Sequence, residues 1–570
     1  MPQVAAVAPA AARVARPIAV SDLTGVWVAA GSDRPAFSGT VEIASARGGW
    51  NARAATARAA GYPVGGDVAF RFPGAVGALR LRLPASPQMR AMWIQSGSPI
   101  DSNAYATPVA LRASGRDAWM GVVSPFVPRY ELEIAFVTKA DGSLGGFMRD
   151  PIGNFGTMAP FDRVTLDGTG IVIRTRAHVF RGSMDETAGV LQLGIGTGPP
   201  MNFHRLNPTV ANGFFPLPAG ADASFALPPD EGDGWKVESP RGAGIDDERL
   251  QRLAIYLSSQ APRSPASPYI QSLLVARDAR LVAEHYYFGF NRGRPHDVRS
   301  AGKSLDAALF GVAMRHTPGL TVDAPAYRWL PYRALAHPDK RKMQITIGDF
   351  FDMTSGLDCD DNNDDSLGNE ERMQSQTAQP DWYRYVMDLP MRRDPGAPKA
   401  AYCSGGLNMI GAFIIAATHR WTPQFFDRAI AQPLQFGEYH LQLTPTGEMY
   451  LGGGSYFLPR DFLKLGELFL DGGVWNGYRL LAKAWVRDAV SPHSGLNQPD
   501  DYGYGWHLTH YHASGVTYGA YEAQGNGGQF VVVVPRLRLV VGIMAANYGN
   551  FRTWGRFHDL IERYIVAACR

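Results

Sequence analysis

Hydrophobic and polar positions along this chain of 570 residues follow two rhythms, and the change falls near residue 246. From about 21 to 213 the dominant period is two. Ala78-Leu79-Arg80-Leu81-Arg82-Leu83 alternates apolar with charged residues, as does Arg129-Tyr130-Glu131-Leu132-Glu133-Ile134, which is the pattern of half-buried strands. Gly/Asp pairs such as Asp141-Gly142 and Asp167-Gly168 punctuate the runs. Short, evenly spaced strands with few helix-length segments predict an antiparallel barrel or sandwich. Residues 214–245 are rich in Pro, Gly, Ala and Asp and lack a period, so they read as a linker.

Beyond 246 helical spacing appears. Leu250, Leu253, Ala254 and Leu257 fall on one face of a helix over 246–259. Segments 270–276 and 280–288 flank Asp278-Ala279 as a hairpin. Ser300 opens an apolar helix through Leu305, Leu309 and Val312. A second hairpin is predicted from 529–534 and 539–544, and a last helix from about 554 to 568. The pattern predicts an α/β (α+β) domain over 246–570, an antiparallel sheet flanked by helices.

Apolar content of 45% and charged content of 19% are those of a soluble globular protein, and the length suits two or three domains. A net charge of +3, dispersed along the chain, gives no footprint for nucleic acid. No apolar run reaches the length of a membrane span. Residues 1–20 are Ala-rich with Arg13 and Arg16 and lack a Leu/Phe-rich stretch followed by a cleavage site. They read as a disordered lead, in the manner of a trimmed export signal, and a periplasmic or secreted location is slightly favoured over the cytoplasm. Three cysteines cannot build a disulfide framework. Cys359 and Cys403 either bridge in an oxidising compartment or remain two buried thiols.

The candidate chemistry begins at Ser300-Ala301-Gly302-Lys303. A serine at a helix start and a lysine one turn on share a helical face. A lysine stripped of water loses affinity for its proton. It can then take the hydroxyl proton and activate the serine for acyl transfer. The chain has no G-x-S-x-G elbow and no H-E-x-x-H. Gly194-Ile195-Gly196-Thr197-Gly198 is followed by two prolines, so no helix can follow to hold a phosphate. His507, His510 and His512 fall on alternating strand faces and need not converge on a metal. Asp360 to Asp365 lacks the glycine and closing glutamate of a calcium loop and reads as a solvated acidic loop. That loop, with residues 374–382, is a candidate lid. Trp382 and Tyr383 either line the acyl or leaving-group pocket or pack a lid helix.

Several segments stand in a telling order: Ser300-Ala301-Gly302-Lys303; Ile345-Thr346-Ile347 with Met353-Thr354-Ser355-Gly356-Leu357; Pro395-Gly396 and Tyr402-Cys403-Ser404; Gly452-Gly453-Gly454 with Asp461-Phe462 and Gly472-Gly473; Tyr502-Gly503-Tyr504-Gly505-Trp506; and Gly525-Asn526-Gly527-Gly528-Gln529. In that order they resemble the serine β-lactamase-like superfamily: penicillin-binding proteins, class C β-lactamases, family VIII esterases and 6-aminohexanoate-dimer hydrolases. The resemblance covers roughly 240 to 570. At the other end, Leu23-Thr24-Gly25-Val26-Trp27 resembles the first strand of a lipocalin-like barrel, whose Trp plugs one end.

The resemblance implies Ser300 as nucleophile, Lys303 as base or as the group that holds Tyr402 in its working state, and Tyr402 as proton relay. Ser404 stands where class C enzymes carry Asn, positioned to bond Lys303 or substrate. The Ser300 and Asn526 N–H groups would receive the oxyanion, and Gly527 would let substrate lie against the strand. The lysine-threonine-glycine triplet of penicillin-recognising enzymes is absent, so its cation has no evident counterpart. That departure, with Tyr-Cys-Ser for Tyr-x-Asn, resembles the esterase and nylon-oligomer branches more. The implied activity is hydrolysis of small esters or amides with no metal or organic cofactor. Alternatives are a D-amino-acid or cell-wall peptidase and a sensor that is acylated without turnover. The barrel's role is open between lid, substrate gate and homo-oligomer contact.

Overall fold

The structure is a computed structural model. It describes residues 17–569 apart from 83–87, 153–158, 177, 186–187, 196–198, 208–224, 226, 260–266 and 500. Most of the expected lead, the 214–224 part of the expected linker and residues 196–198 of the glycine-rich segment lie outside the described residues.

The period-two region makes two all-β bodies. One is a nine-stranded sheet that begins with Gly25–Ser32 and resumes at Arg129–Thr138, continuing to Met201–Arg205. It curls until Leu144–Arg149 meets Arg163–Asp167, nearly closing on itself. Its core is apolar residues of alternate positions, with Trp27, Phe136, Ile173, Leu191 and Phe203 all within 2% of full burial. The Trp27 indole N–H donates to Leu23 O at 2.8 Å. Between the first two strands of that body, residues 39–123 are inserted as a closed eight-stranded antiparallel barrel, sealed where Ala104–Gly115 pairs with Ala118–Val123. Period-two alternation marks strands but does not say which of them pair, so sequence merged the two bodies into one.

The chain falls into two compact units, and the barrel (Ser32–Arg129) belongs with Pro268–Arg570. Barrel strand Ala104–Gly115 pairs with Tyr439–Leu443, with Ala106 opposite Leu441. Arg90 meets Asp427 at 2.8 Å, and Thr107 meets His440 at 2.8 Å.

A further sheet has seven strands, antiparallel but for Lys236–Val237 at one edge. Its centre is Ile270–Arg277, Leu539–Ala545 and Gln529–Val534. These strands are continuously apolar because both faces are covered: Val531 and Val533 join a core with helices Lys303–His316 and Pro459–Leu470, while Val532 and Val534 face helix Asp247–Ser259 and the C-terminal helix. The predicted 278–279 hairpin has φ +51° and +58° at its two turn residues, the combination whose twist matches paired strands. The predicted last helix begins at Trp554 and passes through a π turn at Ile561–Ile565. Part of the expected linker is structural: the Trp235 indole donates to Arg460 O at 3.0 Å and meets Trp475 edge-on.

Candidate active site

Ser300 lies in a 3-10 turn, Arg299–Gly302, running into helix Lys303–His316. Three residues at that spacing span one turn, so Lys303 Nζ reaches Ser300 Oγ at 2.9 Å. The same amine donates to Ser404 Oγ at 2.9 Å and to Gly452 O at 2.5 Å. It is 2% exposed and lies 5.0 Å from the centre of the Tyr402 ring. Ser300, Lys303, Tyr402 and Ser404 therefore converge on one buried amine, drawn from two helices and the loop before the second, Ser404–Thr418.

Burial pushes the Lys303 proton affinity down, as dehydration should. The Tyr402 oxygen, Glu370 and Asp361 outweigh it and raise the pKa above the ordinary lysine value. The amine therefore keeps its proton at neutral pH.

The turn is wedged in place by glycines. At Gly453, φ is +134°, and a Cβ would stand 2.8 Å from Arg299 O and 3.1 Å from Ser300 N. At Gly525 a Cβ would stand 2.5 Å from Val298 O. The strand Val516–Gly525 thus ends against the Ser300 turn, followed at once by Asn526 and Gly527. The Asn526 side chain accepts the Gly549 N–H at 2.8 Å, and Gly527 packs on the Tyr548 ring. Ser304 Oγ donates to Gly505 O at 2.5 Å, tying the helix to the Tyr502–Trp506 segment.

The acidic loop is only partly solvated. Asn362 to Asp365 are exposed, but Asp361 turns inward. Its carboxylate accepts the Ser404 N–H at 2.7 Å and the Glu370 N–H at 2.9 Å, and its own N–H donates to Tyr402 O at 2.7 Å. Ser404 is the first residue of its helix, where an anion is favoured by the unpaired N–H groups and the helix dipole. Burial and then Glu370 push the Asp361 carboxyl up to about 7, against the pull of Lys303 and Ser404. A Cys359–Cys403 disulfide, Cα–Cα 5.4 Å, ties this loop to the residue after Tyr402 and settles the open choice between bridge and thiols. Asp361 and the Gly452 carbonyl were not singled out from sequence. One lay inside a charge run, and the other acts through its backbone.

Trp382 is 3% exposed and meets Tyr450 edge-on at 5.3 Å. The Tyr450 hydroxyl donates to Glu370, so Trp382 packs against the ring that holds Glu370. Helix Trp382–Asp388 buries Trp382, Tyr383, Val386 and Met387 in the core. Its apolar face is spent on packing. His507 sits beside the Tyr502 ring at 4.9 Å, and burial pulls it down to about 4.

A family model described as Beta-lactamase matches residues 271–555, half of the chain. The chain is 26% identical over 263 residues to the 6-aminohexanoate-dimer hydrolase of Paenarthrobacter ureafaciens, covering 43% of this chain and 62% of that protein, so it spans less than two thirds of that relative. Among solved structures, it is similar to a family VIII carboxylesterase (15% identity, TM-score 0.41, 57% of this chain and 99% of the other). It is also similar to a penicillin-binding protein from Bacillus halodurans (16% identity, TM-score 0.39, 51% and 96%).

Proposed function

Because this chain belongs to the serine β-lactamase-like superfamily, we propose that it is a serine hydrolase cleaving small esters or amides through an acyl-enzyme on Ser300. One observation carries the reading: a buried amine holds the Ser300 hydroxyl at 2.9 Å while Ser404, Gly452 and Tyr402 surround it. The similarity to a 6-aminohexanoate-dimer hydrolase supports it.

In the first step Ser300 Oγ bonds to the carbonyl carbon, and its proton passes to the Tyr402 oxygen. That oxygen starts as a phenolate held by the Lys303 ammonium, which stays protonated throughout. The carbonyl oxygen becomes an oxyanion, for which the Ser300 and Asn526 N–H groups are the donors. As the oxyanion collapses, the leaving alcohol or amine departs and takes the proton from Tyr402. Water then attacks the acyl carbon, gives its proton to Tyr402, and Ser300 recovers it as the acid leaves.

A fluorophosphonate probe should label the wild-type chain and not Ser300→Ala. Sustained p-nitrophenol release from p-nitrophenyl acetate should accompany it. Labelling that survives loss of the hydroxyl overturns the nucleophile, and a single stoichiometric burst replaces the enzyme with an acylated binding protein.

A further inference from the structure

The inserted barrel carries a cavity that the steps above do not use. Its volume is about 210 Å³. Four segments at one end of the barrel line it: residues 33–37 before the first strand, 75–76 in the turn before Ala78–Leu81, Trp93 with 95–99 at the end of Gln88–Gln95, and Pro125 with Pro128 after Ala118–Val123. All lie within Ser32–Arg129, inside one compact unit. The mouth of a β-barrel is a common seat for a small molecule, an apolar hollow edged by a few polar groups. A cavity of about 150 Å³ accepts benzene, so this one has room for a single ring and a short arm.

The apolar wall is Phe37 and Trp93, with ring centres 5.0 Å apart, beside Val76, Pro125 and Pro128. Two polar side chains in the lining are acceptors left open. Asp33 is pinned from two sides. Its N–H donates to Pro128 O at 3.0 Å, and one carboxylate oxygen accepts the Ile100 N–H at 2.9 Å. Among the described residues, the other carboxylate oxygen meets no donor. Gln95 is oriented by its amide nitrogen, which donates to Phe126 O at 2.9 Å. That bond leaves Oε1 buried with nothing to accept from. Such an acceptor is costly, and a folded protein keeps one where a donor arrives from elsewhere. The cation in the lining, Arg34, is exposed at the rim.

A carboxylate fixed by its own loop, an acceptor lacking a donor and two aromatic rings together suit an ammonium. Its N–H groups satisfy the acceptors as charge-assisted bonds. Aromatic walls attract a cation and pack the body that carries it. We propose that this end of the barrel is a binding site for a small organic ammonium, a single ring bearing a protonated amine on a short arm. None of the lining residues belongs to the Ser300, Lys303 and Tyr402 group, so binding here does not depend on the Ser300 chemistry.

Titration of the full chain with benzylamine, followed by ligand-observed NMR, tests the site. Benzyl alcohol and benzoate serve as the neutral and anionic counterparts. Benzylammonium should bind at one site with a Kd on the order of 0.1–1 mM, the range open to a ligand of about eight non-hydrogen atoms. Benzyl alcohol should bind at least about tenfold more weakly, the scale of a charge-assisted bond. Asp33→Asn keeps an oxygen for the Ile100 N–H and removes the charge. It should weaken benzylammonium about tenfold and leave benzyl alcohol unchanged. Ala75 lies exposed in a turn at the cavity edge, so Ala75→Trp should fill the mouth and abolish binding while the melting temperature holds. Benzylammonium binding that Asp33→Asn leaves unmoved places the ligand elsewhere on the chain and overturns the site, whether or not Ala75→Trp folds. Equal affinity for amine and alcohol, or tighter binding of benzoate, overturns the ammonium. So does the absence of binding up to about 10 mM benzylamine.

Discussion

Two regions meet at the Lys303 amine, and they deliver their groups in opposite ways. The Ser300 turn and helix Lys303–His316 do it by local geometry: a three-residue spacing brings Ser300 Oγ to 2.9 Å. The loop carrying Asp361 does it by long-range ties. Ser404 is 43 positions away from Asp361, and the disulfide spans 44. The helix brings the hydroxyl and the cation, and the loop brings the counter-charge. A local device needs only its helix to be folded, whereas a tied loop fails when a tie is cut. The two should therefore respond to different insults and by different amounts.

The largest effect belongs to the helix. Lys303→Ala removes the one group that touches Ser300, Ser404 and Gly452 together. Turnover of p-nitrophenyl acetate should fall by more than about a hundredfold, the scale of losing a preorganised electrostatic partner. A near-wild-type kcat would remove the amine from the mechanism and with it the meeting point of the two regions.

Cutting the disulfide comes next. Closing a loop of 44 residues restricts the unfolded chain by about 4 kcal/mol in the chain-entropy account, so reduction should lower the melting temperature. It should also reach the chemistry, because the bridge joins the Asp361 loop to the residue after Tyr402. A displacement of about 1 Å at a catalytic group costs up to about a hundredfold, and a loss of about tenfold is expected for Cys359→Ala/Cys403→Ala. Rate and melting point measured together separate the effects. A lower melting point with an unchanged rate would make the bridge a staple for the fold alone.

The same contrast explains what was readable in the sequence. Ser300 and Lys303 were legible because helical spacing turns sequence distance into spatial distance. The strands around Val531 and Val540 were legible because apolar runs mark burial on both faces. Asp361 was not. Six polar residues in a row look solvated, and only three-dimensional pairing distinguishes the inward one from Asn362 to Asp365. The barrel was legible as strands but not as a body separate from the nine-stranded sheet. Its insertion after Ser32 leaves no mark in the alternation, and its pairing with Leu441 joins residues far apart in the chain.

The smallest and most specific effect is that of Asp361 itself, and it is read through pH. Burial first, then Glu370, holds its carboxyl at about 7, well above the ordinary range of about 4. Between those values the folded chain binds a proton that the unfolded chain has released. Stability contributed by this group is therefore full below about 4 and falls as pH rises through 7. Activity runs the other way. Above 7 the carboxylate is charged, accepts the Ser404 N–H as a charge-assisted bond, and helps keep the proton on Lys303. Protonation reduces that bond to a neutral one, a difference of about fivefold in rate. The kcat of the wild type should climb through about pH 7, and Asp361→Asn should flatten the limb. Glu370→Gln removes a charge that raises the Asp361 pKa, so it should move the limb to lower pH without abolishing it. A limb that stays at 7 in both variants would mean the loop contributes only shape, and the division of labour between helix and loop would reduce to packing.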